Sequence, residues 1–274
     1  MGPVPNDLPE QDREKRRATF TEDADLYRSA RPGYPEVLFD ELTALAGLRP
    51  RARVLEIGCG TGQATLPMAA RGYRITAVEL GVEMAAAARR RLAAHDDVAV
   101  HTAAFENWPL PEAAFDLVMA AASLHWVHPA VRWRKTAAAL APGGSVAAFD
   151  TWHVAGGDDA AFAEMQRCYE CFLPGTPPGL RLPAAADLPD ARADEAEASG
   201  LFAAAHRRRY AWECVYDREA YLRLLCTYSR VCALEPESRA AFLACIAAVI
   251  DGLPGARVRK VHLTQLMVAQ RRVR

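Results

Sequence analysis

A carboxylate and three glycines stand close together in VLEIGCGTGQAT, residues 54–65. Glu56 lies inside an apolar run, and Gly58, Gly60 and Gly62 follow it at alternate positions. Glycine allows a tight turn and a close approach of the backbone to a ligand. A carboxylate just before such a turn repels a pyrophosphate and favours a ligand with a positive end. The pattern therefore predicts a turn that binds a cationic ligand.

A second carboxylate, Glu79, ends the apolar segment YRITAVEL at 73–80. In nucleoside-binding α/β sheets, an acid about 20 residues beyond the glycine turn binds the ribose hydroxyls. The dinucleotide fingerprint G-x-G-x-x-G would place its third glycine at position 63, which is Gln63 here. S-adenosylmethionine (SAM) has an ammonium, a sulfonium and no phosphate. We therefore predict SAM as the cofactor, with Glu56 near its cationic end and Glu79 on its ribose.

Two histidines follow later strand-like segments and are candidate catalytic residues. His125 stands in SLHWVH, and His153 stands in DTWH. An unperturbed imidazole has a pKa of about 6.5, and a general base typically accelerates a reaction about 10²–10⁴-fold. Each ring has a structural alternative, in which it packs in a loop and bonds to the backbone.

Strand-like and helix-like segments alternate from residue 53 to residue 150. Strands that alternate with helices of about 10–15 residues indicate βαβ units and a parallel sheet. Because such crossovers are right-handed, we expect the sheet to be doubly wound. Ligands bind such sheets outside the carboxyl ends of the strands, which is where the glycine turn falls.

The alternation ends after residue 150, where helix-like segments and a Pro/Gly-rich loop precede two more strands. We expect those helices to fold over the sheet edge as a cap. The predicted organisation is a disordered leader at 1–17, a SAM-binding core with an N-terminal arm at 18–150, a helical cap or substrate region with strand six at 151–255, and the last core strand at 256–274.

The whole-chain composition limits the partners. The 274 residues are 51% hydrophobic and carry a net charge of −1, which favours neither nucleic acid nor a membrane surface. No apolar run approaches the roughly 20 residues that span a bilayer. The polar, Pro-rich N-terminal segment lacks the apolar core of a signal peptide, so we expect a cytoplasmic location. No feature of the sequence specifies an oligomeric state.

Seven cysteines are scattered along the chain, and we expect free thiols in a reducing compartment. CYEC at 168–171 is a lone C-x-x-C. A structural zinc needs four ligands, usually from two such pairs. We therefore predict no metal site and interpret this pair as packing on a helix.

In combination, VLEIGCGTG, AVEL, FDLVMAAASLHWV and LAPGG resemble the class I SAM-dependent methyltransferase family. ADLYRSARPGYP at 24–35 is similar to the arm that precedes the core in its small-molecule branch, of the trans-aconitate methyltransferase type. The resemblance covers about 18–150. It implies an α/β fold with a mostly parallel, seven-stranded, Rossmann-like sheet and a helical cap inserted after strand five.

The resemblance also implies which residues meet the ligands. Many members have an acid where this chain has Ala104, so Glu106 or the backbone would have to contact the adenine amine. The implied cofactor-binding residues are Tyr27, Arg31, Glu56, Gly58, Gly60, Gly62, Glu79, Leu80, Ala104, Phe105, Glu106, Ala120 and Ala121. The substrate is expected to meet Trp126, Trp152, Tyr228 and Ser229.

We predict methyl transfer from SAM to a small organic acceptor, a metabolite or natural-product intermediate. O-methylation is favoured because histidines are the obvious bases, and N- or C-methylation stays open. RNA methylation would use the basic HRRR at 206–209 as a phosphate contact, although the net charge gives it no support. A SAM-binding protein without methyl transfer is the alternative from another class.

Overall fold

The computed structural model describes residues 24–272, so the predicted leader at 1–17 lies outside the described residues. The strands are β1 (Arg53–Ile57), β2 (Arg74–Glu79), β3 (Val98–Thr102), β4 (Phe115–Ala121), β5 (Leu140–Val154), β6 (His206–Asp217) and β7 (Arg257–Gln270). The helices are α1 (Ala24–Ala30), α2 (Glu36–Leu45), α3 (Thr65–Ala70), α4 (Val82–Arg91), α5 (Pro129–Ala139), α6 (Asp159–Phe172), α7 (Ala191–Ala198), α8 (Arg218–Leu225), α9 (Ser229–Cys232) and α10 (Pro236–Asp251).

These strands form one seven-stranded sheet in the order β3-β2-β1-β4-β5-β7-β6. β1 to β5 pair in parallel, whereas β7 runs antiparallel between β5 and β6. The chain moves outward from β1 to β3 and then resumes on the other side of β1 with β4. That reversal is the switch point of a doubly wound sheet. The predicted α/β fold with a mostly parallel, seven-stranded sheet is confirmed.

Each face of the sheet is covered by its own apolar layer. On β1, Val54 packs in the cluster that holds Leu38 of α2 and Met68 of α3. Its neighbour Leu55 packs in the opposite cluster, with Trp133 of α5. Successive residues of a strand point to opposite faces, and a parallel sheet covered on both sides buries both sets. This double burial explains why the residues of β1 that follow Arg53 are all apolar except Glu56.

A third apolar cluster forms the cap, beyond the ends of β6 and β7. Phe162 of α6, Leu224 of α8 and Phe242 of α10 belong to it, together with Val258 at the start of β7. α7 differs from the other helices that follow β5, because Ala193 packs in the cluster on the sheet face. The cap therefore consists of α6, α8, α9 and α10, and α7 belongs to the layer that covers the core.

The cap contains a disulfide that the sequence did not predict. Cys168 of α6 is bonded to Cys245 of α10, with Cα atoms 6.0 Å apart. The prediction of free thiols is therefore wrong for these two residues, while Cys171 is free and exposed. The C-x-x-C motif concerns two cysteines of one helix, whereas the disulfide partner of Cys168 lies 77 residues further along the chain.

We expect the disulfide to stabilise the cap by restricting its unfolded state. Replacing Cys245 with Ser, read out by urea unfolding of the oxidised protein, should lower the free energy of unfolding by about 2–4 kcal/mol. Cys171→Ser is the matched control and should change it little, since that side chain is free and exposed. The prediction is wrong if dithiothreitol leaves the wild-type urea midpoint unchanged.

Candidate active site

A connected cavity of about 1070 Å³ lies at the carboxyl ends of the parallel strands and continues under the cap. Pockets for one drug-sized ligand are roughly 300–1,000 Å³. Gly58 and Glu79 line the part beside the switch point, while Phe162 and Tyr228 line the part beneath the cap. The cavity is therefore large enough for two ligands side by side.

Most residues predicted from the sequence lie in this cavity wall. The cofactor candidates in the wall are Tyr27, Arg31, Glu56, Gly58, Gly60, Glu79, Leu80, Phe105 and Ala121. The catalytic and substrate candidates in the wall are His125, His153, Trp126, Trp152, Tyr228 and Ser229.

Four predicted cofactor residues lie outside the wall. A side chain on Gly62 would meet Leu92, on the side of the turn away from the cavity. Ala120 is buried in the core cluster on one sheet face. Glu106 accepts a hydrogen bond from the backbone N–H of His128 at 3.1 Å. Ala104 begins a turn, and its carbonyl accepts from two backbone N–H groups.

The glycine turn is shaped by close packing at its first position. Gly58 has φ +67° and donates its N–H to the carbonyl of Val78 at 2.7 Å. A Cβ on Gly58 would lie 2.6 Å from Cβ of Ser123, which leaves no room for a side chain. The Ser123 hydroxyl in turn donates to the carbonyl of Ile57. The main chain is therefore left bare where it faces the cavity.

Glu79 joins two turns through its carboxylate. One oxygen accepts from the N–H of Gly60 and the other from the N–H of Gly81, each at 2.8 Å. Each carboxylate oxygen has two lone pairs, so each can still accept from a ligand hydroxyl. The side chain is thus fixed at the end of β2 before any ligand binds.

Glu56 is a buried acid with unused oxygens. It is 0% exposed, and neither carboxylate oxygen has a hydrogen-bond partner among the described residues. Burial, together with the nearby Glu79 carboxylate, raises the pKa of Glu56 to about 7. The Thr65 hydroxyl lowers it but does not reach hydrogen-bonding geometry. A buried carboxyl without a donor is costly, so this position fits a ligand that brings a cationic donor.

The Asp150 carboxylate lies beside the ring of His125. The Nδ1 atom of His125 lies 3.7 Å from Oδ1 of Asp150, which is too long for a hydrogen bond, and Nδ1 has no hydrogen-bond partner among the described residues. Arg192 donates to Oδ2 of Asp150 at 3.0 Å. Although burial opposes its ionisation, the contacts with His125 and Arg192 lower the pKa of Asp150 to about 2. Asp150 is therefore a carboxylate at neutral pH, and its Oδ1 atom faces the His125 ring.

A second arginine fixes the loop that carries His125. Arg132 donates to the carbonyls of His125 and Val127 at 3.2 Å and 3.1 Å. Its guanidinium also bonds to Glu195 at 2.8 Å, and Glu195 bonds to Arg192 at 2.8 Å. This charged network thus fixes the loop after β4, which carries His125, against helix α7.

His153 has the opposite surroundings. Its ring packs edge-on against Phe162, with ring centres 4.3 Å apart, and its Nε2 atom has no hydrogen-bond partner among the described residues. Burial and the Lys260 ammonium lower the pKa of His153 far below its usual value. Burial and Lys260 also lower the pKa of His262 to about 3. Both rings are therefore neutral at physiological pH.

The last two strands bring to the cavity several residues that no sequence motif predicts. The backbone register places Trp212 of β6 opposite His262 of β7, which lies opposite His153 of β5. Trp212 and His262 stack with ring centres 4.5 Å apart. Lys260, two residues before His262 on the same face, donates to the hydroxyl of Tyr228 at 2.9 Å. Only the pairing of distant strands brings these residues together, and no local motif signals it.

Neither a metal-binding cluster nor a membrane-spanning helix is found among the described residues. Between residues 24 and 272, no group of three or more His, Cys, Asp or Glu side chains is placed to hold a metal ion. No helix in that range is long and apolar enough to cross a bilayer.

Comparison with known proteins agrees with this geometry. A family described as "Methyltransferase domain" matches residues 54–144, which contain the glycine turn, Glu79 and His125. An uncharacterized methyltransferase of Mycobacterium tuberculosis is 36% identical over 118 residues, which are 43% of this chain and 46% of that protein. The trans-aconitate 2-methyltransferase of Paracidovorax citrulli is 40% identical over 111 residues, 39% of this chain and 42% of that protein. The match thus spans less than half the length of either relative.

Solved structures share the fold over more of the chain. A structure described as a candidate type II methyltransferase from Anaeromyxobacter dehalogenans is 26% identical, with a TM-score of 0.58, and the match covers 88% of this chain and 97% of that one. A phosphoethanolamine N-methyltransferase of Haemonchus contortus has a TM-score of 0.55 at 14% identity and shows the fold alone. Residues 54–144 are thus similar in sequence to methyltransferase domains, and the glycine turn and the strand order are those expected of a class I SAM-dependent methyltransferase.

Proposed function

We propose that this protein transfers a methyl group from SAM to an oxygen of a small organic acceptor. The observation that carries the proposal is the arrangement of the cavity: a glycine turn flanked by two acids on one side, and a histidine backed by a carboxylate in the same wall. Relatives whose names give the acceptor include a trans-aconitate 2-methyltransferase and a malonyl-[acyl-carrier protein] O-methyltransferase. These names support a small, oxygen-bearing acceptor.

The residues beside the switch point fit SAM. The bare backbone at Gly58 and Gly60 would pass the methionine part, and the Glu56 carboxylate would accept from its ammonium group. Glu79, already fixed by two backbone N–H groups, would accept from the ribose hydroxyls. When bound, SAM supplies an electrophilic methyl group, so the protein must position a nucleophile, exclude water and remove a proton.

The electrostatics distinguish the two candidate bases. A neutral histidine that acts as a general base carries positive charge after it accepts a proton, and the Asp150 carboxylate lies beside the His125 ring. The burial of His153 in apolar surroundings and the nearby Lys260 ammonium both oppose a positive charge on the His153 ring. We therefore assign the base to His125. The Nδ1 atom of His125 lies on the side of Asp150, so Nε2 would take the proton of the acceptor hydroxyl, whose oxygen would receive the methyl group from the sulfur of SAM.

The alternatives have less support. The basic residues expected to contact RNA are engaged within the protein: Arg207 pairs with Asp194 at 3.0 Å, and Arg208 pairs with Glu41 at 2.7 Å. N- or C-methylation could use the same histidine, and the relative named as an O-methyltransferase favours oxygen over them. A binding protein without transfer needs no His125–Asp150 pair. The cytoplasmic location stays a prediction.

The proposal is tested by incubating the protein with SAM and a panel of small hydroxyl- and carboxyl-bearing compounds and measuring S-adenosylhomocysteine by mass spectrometry. Turnover that depends on one of these compounds supports it. Binding of SAM without turnover of any O-, N- or C-nucleophile would instead favour the binding-protein alternative.

Once a hydroxyl-bearing acceptor is found, the variants His125→Gln and His153→Gln test which of the two histidines is the base and which one only lines the cavity. We expect His125→Gln to lower kcat by about 10²–10⁴-fold, because the proton has no acceptor. His153→Gln should act mainly on KM for the acceptor. The Kd of SAM, measured by calorimetry, should change little in either variant. Equal loss of kcat in both variants would contradict the assignment.

Glu56 should make the ligand-free protein less stable at high pH. Its pKa is raised from 4.5 to about 7, so the stability linked to its protonated form is complete below pH 4.5 and is lost as the pH rises through 7. Glu56→Gln should therefore gain about 3 kcal/mol of unfolding free energy relative to wild type between pH 5 and pH 8. It should also bind SAM more weakly, since the ammonium loses its negatively charged partner.

The matched control for this prediction is Glu83→Gln, an exposed acid at the start of α4. Urea unfolding at both pH values and calorimetry with SAM measure the two effects. If Glu56→Gln follows the pH dependence of wild type and keeps its SAM affinity, Glu56 does not have the proposed role.

A further inference from the structure

Lys260 is a buried cation that the proposed chemistry does not use. It is 2% exposed, lies in the cavity wall, and donates to the Tyr228 hydroxyl at 2.9 Å. No carboxylate of residues 24–272 forms an ion pair with it. An ammonium has three N–H donors, and a buried charge with unused donors is costly. Lys260 therefore lacks an anionic partner that the cavity can supply by binding a ligand.

The two buried arginines of the described residues have carboxylate partners, and the half-buried Arg31 uses donors on neutral groups. Arg132 and Arg192 both bond to Glu195, and Arg192 also bonds to Asp150. In the cavity wall, Arg31 is held by the hydroxyl and carbonyl of Thr227, with its guanidinium over aromatic rings. Lys260 is thus the buried positive charge of the cap side that remains for a ligand.

Two more arginines of the cavity wall keep their charge, but neither of them is buried. Arg181 lines the cavity but is exposed, so water screens it. Arg230 donates to the carbonyl of Pro174 and the hydroxyl of Thr176, each at 3.0 Å. The buried anion site is therefore built for one negative charge.

The surroundings of Lys260 are mainly aromatic. Its ammonium lies 5.5 Å from the ring centre of Tyr228 and 5.9 Å from that of Tyr221. His153 and His262 lie close enough for Lys260 to lower their pKa values, and their Nε2 atoms are buried without hydrogen-bond partners. Further aromatic wall residues are Phe162, Tyr169 and Trp212. One cation and two neutral imidazoles in such a wall suit a ligand with an apolar body and one anionic end.

The site is distant from the glycine turn. β7, which carries Lys260, is the third strand from β1 in the sheet order. At roughly 4.8 Å between neighbouring strands, that separation is about 14 Å. Lys260 therefore lies under the cap, where an acceptor would place the end that does not react.

We propose that Lys260 binds the carboxylate of an acceptor that has an aromatic or otherwise apolar body and a single negative charge. This proposal rests on the proposed methyl transfer, because it names the class of acceptor for that site. The Lys260 N–H groups and the neutral imidazoles of His153 and His262 hydrogen-bond the carboxylate, and the aromatic wall packs on the body. Small polyanions are excluded, because their other charges would be buried without partners.

The test uses three fluorinated aromatic acids of increasing size, 4-fluorobenzoate, 4-fluorocinnamate and 6-fluoro-2-naphthoate, each with its primary amide, and citrate. Binding to the complex with S-adenosylhomocysteine is measured by ¹⁹F NMR, with citrate as competitor. We expect at least one acid to bind tenfold or more tightly than its amide, and citrate to compete poorly. Lys260→Met should abolish the preference for the acid, and its affinity for the amide should change little.

Lys260→Met should fold, because replacing a buried charge by an apolar side chain of similar shape is often neutral or stabilising. Lys135→Met is the matched control, since Lys135 bonds to the carbonyls of Glu106 and Trp108 outside the cavity wall. Calorimetry with S-adenosylhomocysteine separates the two proposals: if wild type does not bind it, the proposed function fails. If wild type binds it, the Lys260 proposal is overturned when no acid binds, when acid and amide bind equally, when citrate binds most tightly, or when Lys260→Met keeps the preference or loses S-adenosylhomocysteine.

Discussion

The cost of burying the Glu56 carboxyl within the sheet shapes this site. β1 is covered on both faces by apolar layers, and an acid at its centre is unfavourable without a donor. The strand places that acid directly before Gly58, where close packing on Ser123 excludes any side chain. The carboxyl and the bare main chain therefore face the cavity together. In the proposed function, the free energy lost on burying this carboxyl would be recovered when a ligand with a positive end binds.

The two ends of the cavity have opposite charge, and the strand order keeps them apart. The acids Glu56 and Glu79 lie on β1 and β2, at the switch point. Lys260 lies on β7, which enters the sheet antiparallel beside β5. A cationic nucleoside and an anionic acceptor would therefore bind at separate places within one cavity. Because each charge lies in a poorly hydrated wall, water screens their effect on a ligand weakly.

Local sequence patterns predict the nucleoside half of this molecule and little of the acceptor half. The alternation of strands and helices, the glycine turn and Glu79 are short-range features, and the sheet follows from them. The pairing of Trp212, His262 and His153 depends on the register of three strands that are distant in sequence. The disulfide partner of Cys168 is equally remote. Asp150 stands three residues before His153, yet its role depends on Arg192 from α7, which no local pattern indicates.

The alternation of side chains along β5 explains how one strand serves two environments. Asp150 and His153 are three residues apart, so they point to opposite faces of the sheet. Asp150 meets Arg192 of α7 and the ring of His125, where charge is stabilised. His153 meets Phe162 of α6 beneath the cap, where burial and Lys260 keep its ring neutral. A shift of β5 by one residue would exchange these faces and place the carboxylate in the apolar wall, so the register of β5 with β4 and β7 determines which histidine lies beside a carboxylate.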